Sequence, residues 1–208
     1  MTVTLIGAAQ RYVGVAADTK PTTGVSPGAT FLERDTGRTY VYDAAAWGPL
    51  SGSGYASGMV SVTRPSNTDA YTAGDVVGAT AAAITFPTMG PSGGGEVIIT
   101  TVQLERDVTA VISGETTYTL HLYSLTPPSA LADNAAFDLP SGDRASYRGS
   151  IYLGAPVDLG STLYVEQNGV NKQVTLASGS LYGYLVTAGG YTPASAAVLR
   201  IGLHSVAV

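Results

Sequence analysis

The chain has 208 residues, 15 Asp+Glu against 10 Lys+Arg, a net charge of −5 and no cysteine. Charged residues make up 12 %, about half the ~25 % usual in globular proteins. A disulfide scaffold, a cysteine zinc site and a thiol nucleophile are excluded, and a basic nucleic-acid surface is disfavoured. An apolar fraction of 45 % with 13 tyrosines supplies enough surface to offset the entropy of ordering, so composition points away from disorder. The length suits one core, or one core plus a small appendage. No apolar run approaches the ~18–20 residues that cross a bilayer, so no membrane partner is expected. Residues 1–6 lack the basic region and long apolar core of a secretory signal, which points to synthesis in a cytoplasm without export by that route.

In chain order, a short apolar start leads to Arg11-Tyr12-Val13-Gly14-Val15-Ala16-Ala17, and loop signals follow at Pro21, Gly24, Pro27 and Gly28. Residues 30–34 and 38–42 are β-prone arms around Asp35-Thr36-Gly37. A three-residue loop ending in glycine suits a type I turn followed by a left-handed residue, which predicts a hairpin. Asp43-Ala44-Ala45-Ala46-Trp47 is expected to turn back and lay the one tryptophan on that hairpin. Residues 48–58 read as a flexible linker and the domain boundary. The expected organisation is an N-terminal arm and hairpin over 1–50, a Gly/Ser linker over 51–58, and a larger domain over 59–208.

That larger domain is strand after strand. Ala197, Leu199, Ile201 and Leu203 alternate with Val198, Arg200, Gly202 and His204, the signature of a half-buried antiparallel strand. Further strands are expected over 59–63, 81–86, 96–104, 117–123, 149–153, 162–165, 173–176 and 181–187. Asn168-Gly169 and Ser178-Gly179 read as hairpin signals, and 87–95 as a glycine-rich loop. Residues 129–136 are the one helix-like stretch, two turns at best. The fold class expected is all-β: an antiparallel β-sandwich, specifically a jelly roll, preceded by the arm and small hairpin.

Few residues offer chemistry. His121 and His204, the two histidines, lack the spacing or carboxylate neighbours of a metal site or general base, and read as sheet-surface residues. Asp133, Asp138 and Asp143 cluster in one loop but match no calcium-loop pattern, and read as turn caps. Residues 90–96 are glycine-rich without the Lys-Ser/Thr of a phosphate loop, and they precede a strand rather than a helix. No Gly-x-Ser-x-Gly elbow exists. No catalytic residue, cofactor or metal is expected, and the chain reads as a non-enzyme.

Tyrosines are the surplus. Tyr182 and Tyr184 lie on one face of a strand whose other face is Leu181, Gly183 and Leu185, so both faces look apolar. That strand is either central in the sandwich or at a subunit interface. Tyr40, Tyr42, Trp47 and Tyr55 gather near the hairpin, as its own small core or as a contact surface.

Ala17-Asp18-Thr19-Lys20-Pro21, then residues 28–43 (GATFLERDTGRTYVYD) with Trp47, resemble a segment common in structural proteins of tailed bacteriophages. Residues 130–137, 181–186 and Tyr191-Thr192-Pro193 resemble the jelly-roll domains of phage head decoration (cement) proteins. The resemblance implies a virion part, made in the host cytoplasm, that binds the exterior of the head through the major capsid protein as a homotrimer and ties capsomers together. On that reading Arg11, Tyr12, Phe31, Tyr40, Tyr42 and Trp47 are capsid-contact candidates, and Tyr182 and Tyr184 oligomer-contact candidates. Negative net charge argues against the DNA-filled interior and against a nucleic-acid partner. The alternative is a tail or head-fibre appendage, or a carbohydrate-binding adhesion module that holds a host glycan.

Overall fold

The computed structural model describes residues 10–35, 37–50 and 54–208. The readings of the apolar start over 1–9, of Thr36 in the hairpin turn and of 51–53 in the linker lie outside the described residues. The chain divides after Ser53 into two units.

In the first unit β1 (Arg11–Gly14), β2 (Thr30–Glu33), β3 (Thr39–Tyr42) and β4 (Trp47–Pro49) form one sheet in that order. The expected hairpin is β2–β3, and the structure adds a strand on each side of it. β1 pairs with β2 in parallel, while β3 and β4 are antiparallel to their neighbours. Gly37 takes a φ of +70° and donates its N–H to the Glu33 carbonyl at 2.8 Å, the left-handed position that the turn requires of glycine. The Asp43 carboxylate accepts the Ala45 and Ala46 N–H groups at 2.8 and 2.7 Å, which turns the chain back so that Trp47 can pair with Tyr42.

The second unit is an all-β antiparallel sandwich. Its strands are β5 (Gly54–Thr63), β6 (Val76–Val77), β7 (Ile84–Phe86), β8 (Gly95–Arg106), β9 (Tyr118–Tyr123), β10 (Tyr147–Leu153), β11 (Val157–Asp158), β12 (Leu163–Leu176), β13 (Leu181–Thr187) and β14 (Val198–Ala207). The first sheet runs β11-β12-β8-β14-β5; the second runs β10-β9-β13-β6, with β7 also on β13. Val97, Ile99, Val102, Leu104, Leu199, Ile201 and Leu203 of the first sheet face Phe86, Leu120, Leu122, Leu153, Leu181 and Leu185 of the second in one buried core. Burial follows the alternation of β14: Leu199, Ile201 and Leu203 point in, and His204 points out.

Three sequence expectations are corrected. Of the stretch 48–58 read as linker, Gly48 and Pro49 belong to β4 and pair with β3, while residues 54–58 are the first half of β5 and pair with β14, Ser205 opposite Tyr55. Asn168-Gly169 is not a hairpin turn: β12 runs through it, and residues 169–171 bulge out opposite the single Thr100 of β8. Residues 129–136 form no helix. Asn134 sits at φ +64°, and residues 134–137 run beside β6 instead, with Val76 N–H to Ala135 carbonyl at 2.8 Å and Asn134 N–H to Val76 carbonyl at 2.9 Å.

The connection from 124 to 146 lies across the outer face of the second sheet. Val76, Tyr123, Tyr184 and Val186 are buried there, with Leu131, Phe137, Leu139 and Tyr147 packed on them. One end of the sandwich is closed by a buried polar chain. Arg64 pairs with Asp133 at 2.8 Å, and both side chains are almost wholly excluded from solvent. Asp133 also accepts from the Tyr71 hydroxyl at 2.5 Å and the Gly78 N–H at 3.0 Å, while Arg64 donates to the Ala194 carbonyl at 3.0 Å. Tyr71 lies against Tyr191 at 5.0 Å between ring centroids, and the Tyr191 and Tyr118 hydroxyls are 3.1 Å apart. Tyr118 donates to Glu115, which is ion-paired to Arg106. Burial, with Tyr191 and Glu115 adding to it, pushes the Tyr118 hydroxyl far up, so it stays a donor.

Of the three loop aspartates, Asp133 is thus a buried ion-pair partner rather than a turn cap, Asp143 is buried and accepts the Ser129 N–H at 3.2 Å, and Asp138 is exposed. Asp133→Ala leaves the Arg64 charge buried without its carboxylate, and is expected to cost about 3–5 kcal/mol. Asp138→Ala, in the same loop, should stay within about 0.5 kcal/mol of the parent. Urea unfolding of the two variants checks the contrast; equal midpoints would remove the role given to Asp133.

Candidate interaction surfaces

The sheet of the first unit has two unlike faces. Tyr12, Phe31, Tyr40, Tyr42 and Trp47 share one of them, because they alternate in register across the four strands. Trp47 is the hub: its ring lies 5.9 Å from Tyr12, 5.9 Å from Phe31 and 5.3 Å from Tyr42. The segment between β1 and β2 folds over this face. The Trp47 indole N–H donates to the Pro21 carbonyl at 2.6 Å, and the Tyr42 hydroxyl to the Thr22 carbonyl at 3.3 Å. Lys20 pairs with buried Glu33 at 2.6 Å, and its ammonium stands 4.2 Å from the Tyr40 ring centroid. Asp18 accepts the Val15 N–H at 2.8 Å, and Asp35 the Ala16 N–H at 3.0 Å.

The capsid-contact candidates therefore divide. Phe31 and Tyr42 are buried, and Tyr12, Tyr40 and Trp47 are half-buried around them, so this aromatic set is the unit's own core. Arg11 is exposed on the opposite face. That opposite face carries residues the sequence reading passed over. Val13 is 61 % exposed, Leu32 42 % and Leu50 49 %. Val13 pairs with Leu32, Leu32 with Thr39, and the Leu50 N–H donates to the Thr39 carbonyl, so the three form an apolar stripe across the sheet. The available signal was Phe31-Leu32: two large apolar neighbours in a strand must face opposite ways.

In the second unit Tyr184 is 2 % exposed, and its hydroxyl donates to the Ser129 carbonyl at 2.9 Å and accepts the Leu131 N–H at 3.2 Å. Tyr182 is half-buried beside the same cluster. Both faces of β13 are covered within one chain, by the main core and by the 124–146 connection. His121 is on the covered face too, not on a free sheet surface. Its ring stacks on Phe137 at 3.7 Å, and its Nδ1 lies 3.0 Å from the Tyr147 hydroxyl. Burial lowers its pKa to about 4. His204 is exposed on the outer face of the first sheet. Among the described residues no group of three or more His, Asp or Glu side chains is placed to hold a metal.

The edges of the two sheets form a cleft of about 490 Å³ between β10 and the bulge of β12. Ser150 and Tyr152 line one side, and Gln167, Asn171 and Lys172 the other. Compared with known proteins, the chain matches no family model and no curated protein.

Two outcomes follow from this geometry. Trp47→Ala removes three ring contacts and a hydrogen bond, and should cost the first unit about 3 kcal/mol; Leu32→Ser should stay within about 0.5 kcal/mol. Amide hydrogen exchange over residues 11–49 distinguishes them, with residues 54–208 as the internal control. His121 gives a pH window. Its folded value, about 4, lies below its ordinary 6.5, so between the two the unfolded chain holds more protons. Its contribution is complete above pH 6.5, declines toward pH 4 and flattens below. The lowered carboxylates Asp43, Glu96 and Glu166 start from 3.8 and 4.5 and act at lower pH. His121→Gln should flatten the melting temperature between pH 6.5 and 5; an unchanged slope would remove His121 as its source.

Proposed function

We propose that this chain is a structural protein of a tailed-phage virion that decorates the head exterior and stabilises contacts between capsomers. The observation that carries this reading is the first unit. Asp18, Lys20, Pro21, Glu33, Asp35, Gly37, Tyr42 and Trp47, the residues behind the resemblance to phage structural proteins, each hold a specific bond or contact in one small sheet. The segment is thus a folded module, and the stripe of Val13, Leu32 and Leu50 is the surface it offers to the major capsid protein. Exposed apolar residues in register suit burial against a partner better than a free surface does.

The second unit supports the reading more broadly. Its strand order, β12-β8-β14-β5 against β10-β9-β13-β6/β7, is the one that two interleaved Greek keys produce, and we infer a jelly roll on that ground. Tyr184 is committed to the unit's own second core, so the homotrimer we propose uses other residues for its contacts.

Naked heads incubated with the full chain and with a Val13→Asp/Leu32→Asp variant test the attachment. The parent should cosediment at hundreds of copies per head, and the variant, folded by hydrogen exchange, should lose at least about tenfold in affinity, the loss of roughly two buried apolar side chains. Undiminished binding by the variant overturns the attachment surface. A handful of copies per virion overturns decoration in favour of an appendage.

A further inference from the structure

The cleft between β10 and β12 is built by irregularities in both strands. On β10 the register breaks between Tyr147 and Ser150, with Gly149 at φ +82°. On β12 residues 169–171 leave the ladder, with Gly169 at φ +66° and Asn171 at φ +50°. Two edge strands that bulge at the same level open a space neither would leave alone. Its floor is apolar and anchored: Ile151 is buried, and Val170 packs against the main core. Gly149 clears room for the far wall, since a Cβ there would stand 2.8 Å from the Lys172 ammonium nitrogen.

Of the described polar groups around this space, Gln167 alone is committed within the chain, by a 3.5 Å bond from its side-chain amide to the Asn168 carbonyl. Among the described residues Ser150, Tyr152, Asn171 and Lys172 have no side-chain hydrogen bond, and Lys172 has no ion pair. That contrasts with the other lysine: Lys20 is held by Glu33 and two rings. Tyr152 is 61 % exposed at the rim, an aromatic face in water beside an ammonium, an amide and a hydroxyl.

We propose that this cleft binds a saccharide that carries an acidic group, with Lys172 on the acid, Tyr152 against the C–H face of the sugar ring, and Gln167, Asn171 and Ser150 on its hydroxyls. The volume exceeds what a metal ion or a single small anion fills, and lies within the range of small-molecule sites. One cation in a chain of net charge −5 does not suit a polyphosphate or nucleic acid, which need several. Dispersed side-chain donors and acceptors with one aromatic wall match a ligand that is hydroxylated at its edges and apolar on one face. Binding here is a property of the isolated chain and does not depend on docking to a head.

The test is an amide chemical-shift titration of the full chain with sodium glucuronate, with glucose as the neutral sugar and sodium sulfate as the plain anion. Glucuronate should move the amides of residues 150–152 and 167–172, and bind about tenfold more tightly than glucose, the gain of one charge-assisted hydrogen bond. Lys172→Met should erase that preference, and Tyr152→Ala should weaken both sugars about fivefold. Tyr152 is exposed, and half-buried Lys172 is replaced by a side chain of similar length, so melting temperatures should match the parent. The proposal is overturned if no sugar moves those amides, if sulfate moves them as strongly as glucuronate, or if Lys172→Met keeps the preference. It is equally overturned if Lys172→Met only increases self-association, which would assign the lysine to guarding a sheet edge.

Discussion

The ion pair between Arg64 and Asp133 holds the larger unit in its arrangement. Arg64 follows the last residue of β5, and Asp133 lies in the middle of the 124–146 connection, so the pair ties a segment that crosses one sheet to the end of the other. Burying two charges is costly, and the Coulomb attraction offsets it only where the remaining valences are filled. They are filled here: Asp133 takes Tyr71 and the Gly78 N–H as well as Arg64, and Arg64 adds the Ala194 carbonyl. Those partners come from four stretches of chain, which fixes the loops at that end relative to one another. The pair thereby fixes the arrangement as well as adding stability, since shifting the connection would strip Asp133 of Arg64, Tyr71 and the Gly78 N–H together.

The second core depends on that placement. With the connection pinned, the outer face of the second sheet becomes an interior holding Tyr123, Tyr184, Val186 and His121. A sheet covered on both sides permits central strands that are apolar on both faces, and this is why residues 181–187 show no clean alternation. The sequence left two explanations open for that strand, a central position or a subunit interface. Chain topology decides between them for Tyr184, and a local pattern carries no topology.

What was legible in the sequence were the features set by short-range sterics. The alternation of β14, the Gly37 turn and the return of the chain at Asp43 all follow from pleat geometry and turn chemistry within a few residues. What was not legible was set by partners far along the chain. Asn168-Gly169 has the chemistry of a hairpin turn, yet β8 offers an unbroken edge on both sides of Thr100, and continuing along it as a bulge keeps the ladder hydrogen bonds. Residues 54–58 look like linker because glycine and serine dominate them, but β14 extends to Ala207 and supplies a partner. Residues 129–136 have helical spacing, overridden once Asp133 turns inward. The aromatic residues of the first unit were found and their role was left open; Phe31 and Tyr42 are inside with Tyr12, Tyr40 and Trp47 half-buried around them, and the exposed stripe is made of plainer residues.

The scarcity of charge takes on a positive meaning once its distribution is known. Of the cations, Lys20, Arg64 and Arg106 are held by carboxylates that are themselves buried, and Arg200 is paired with Asp107 at the surface. Three of the ten cations are thus used to hold segments of the chain's own fold. A surface so depleted gains little from long-range steering, which sets association rates through charge. The contacts proposed above would rest on shape and apolar area, and these reward a partner only if the surface is already in place when the partner arrives. For the decoration role proposed above, rigidity is then the requirement: the buried pairs that hold the sandwich and the aromatic hub that holds the small sheet keep neutral surfaces preformed for a partner.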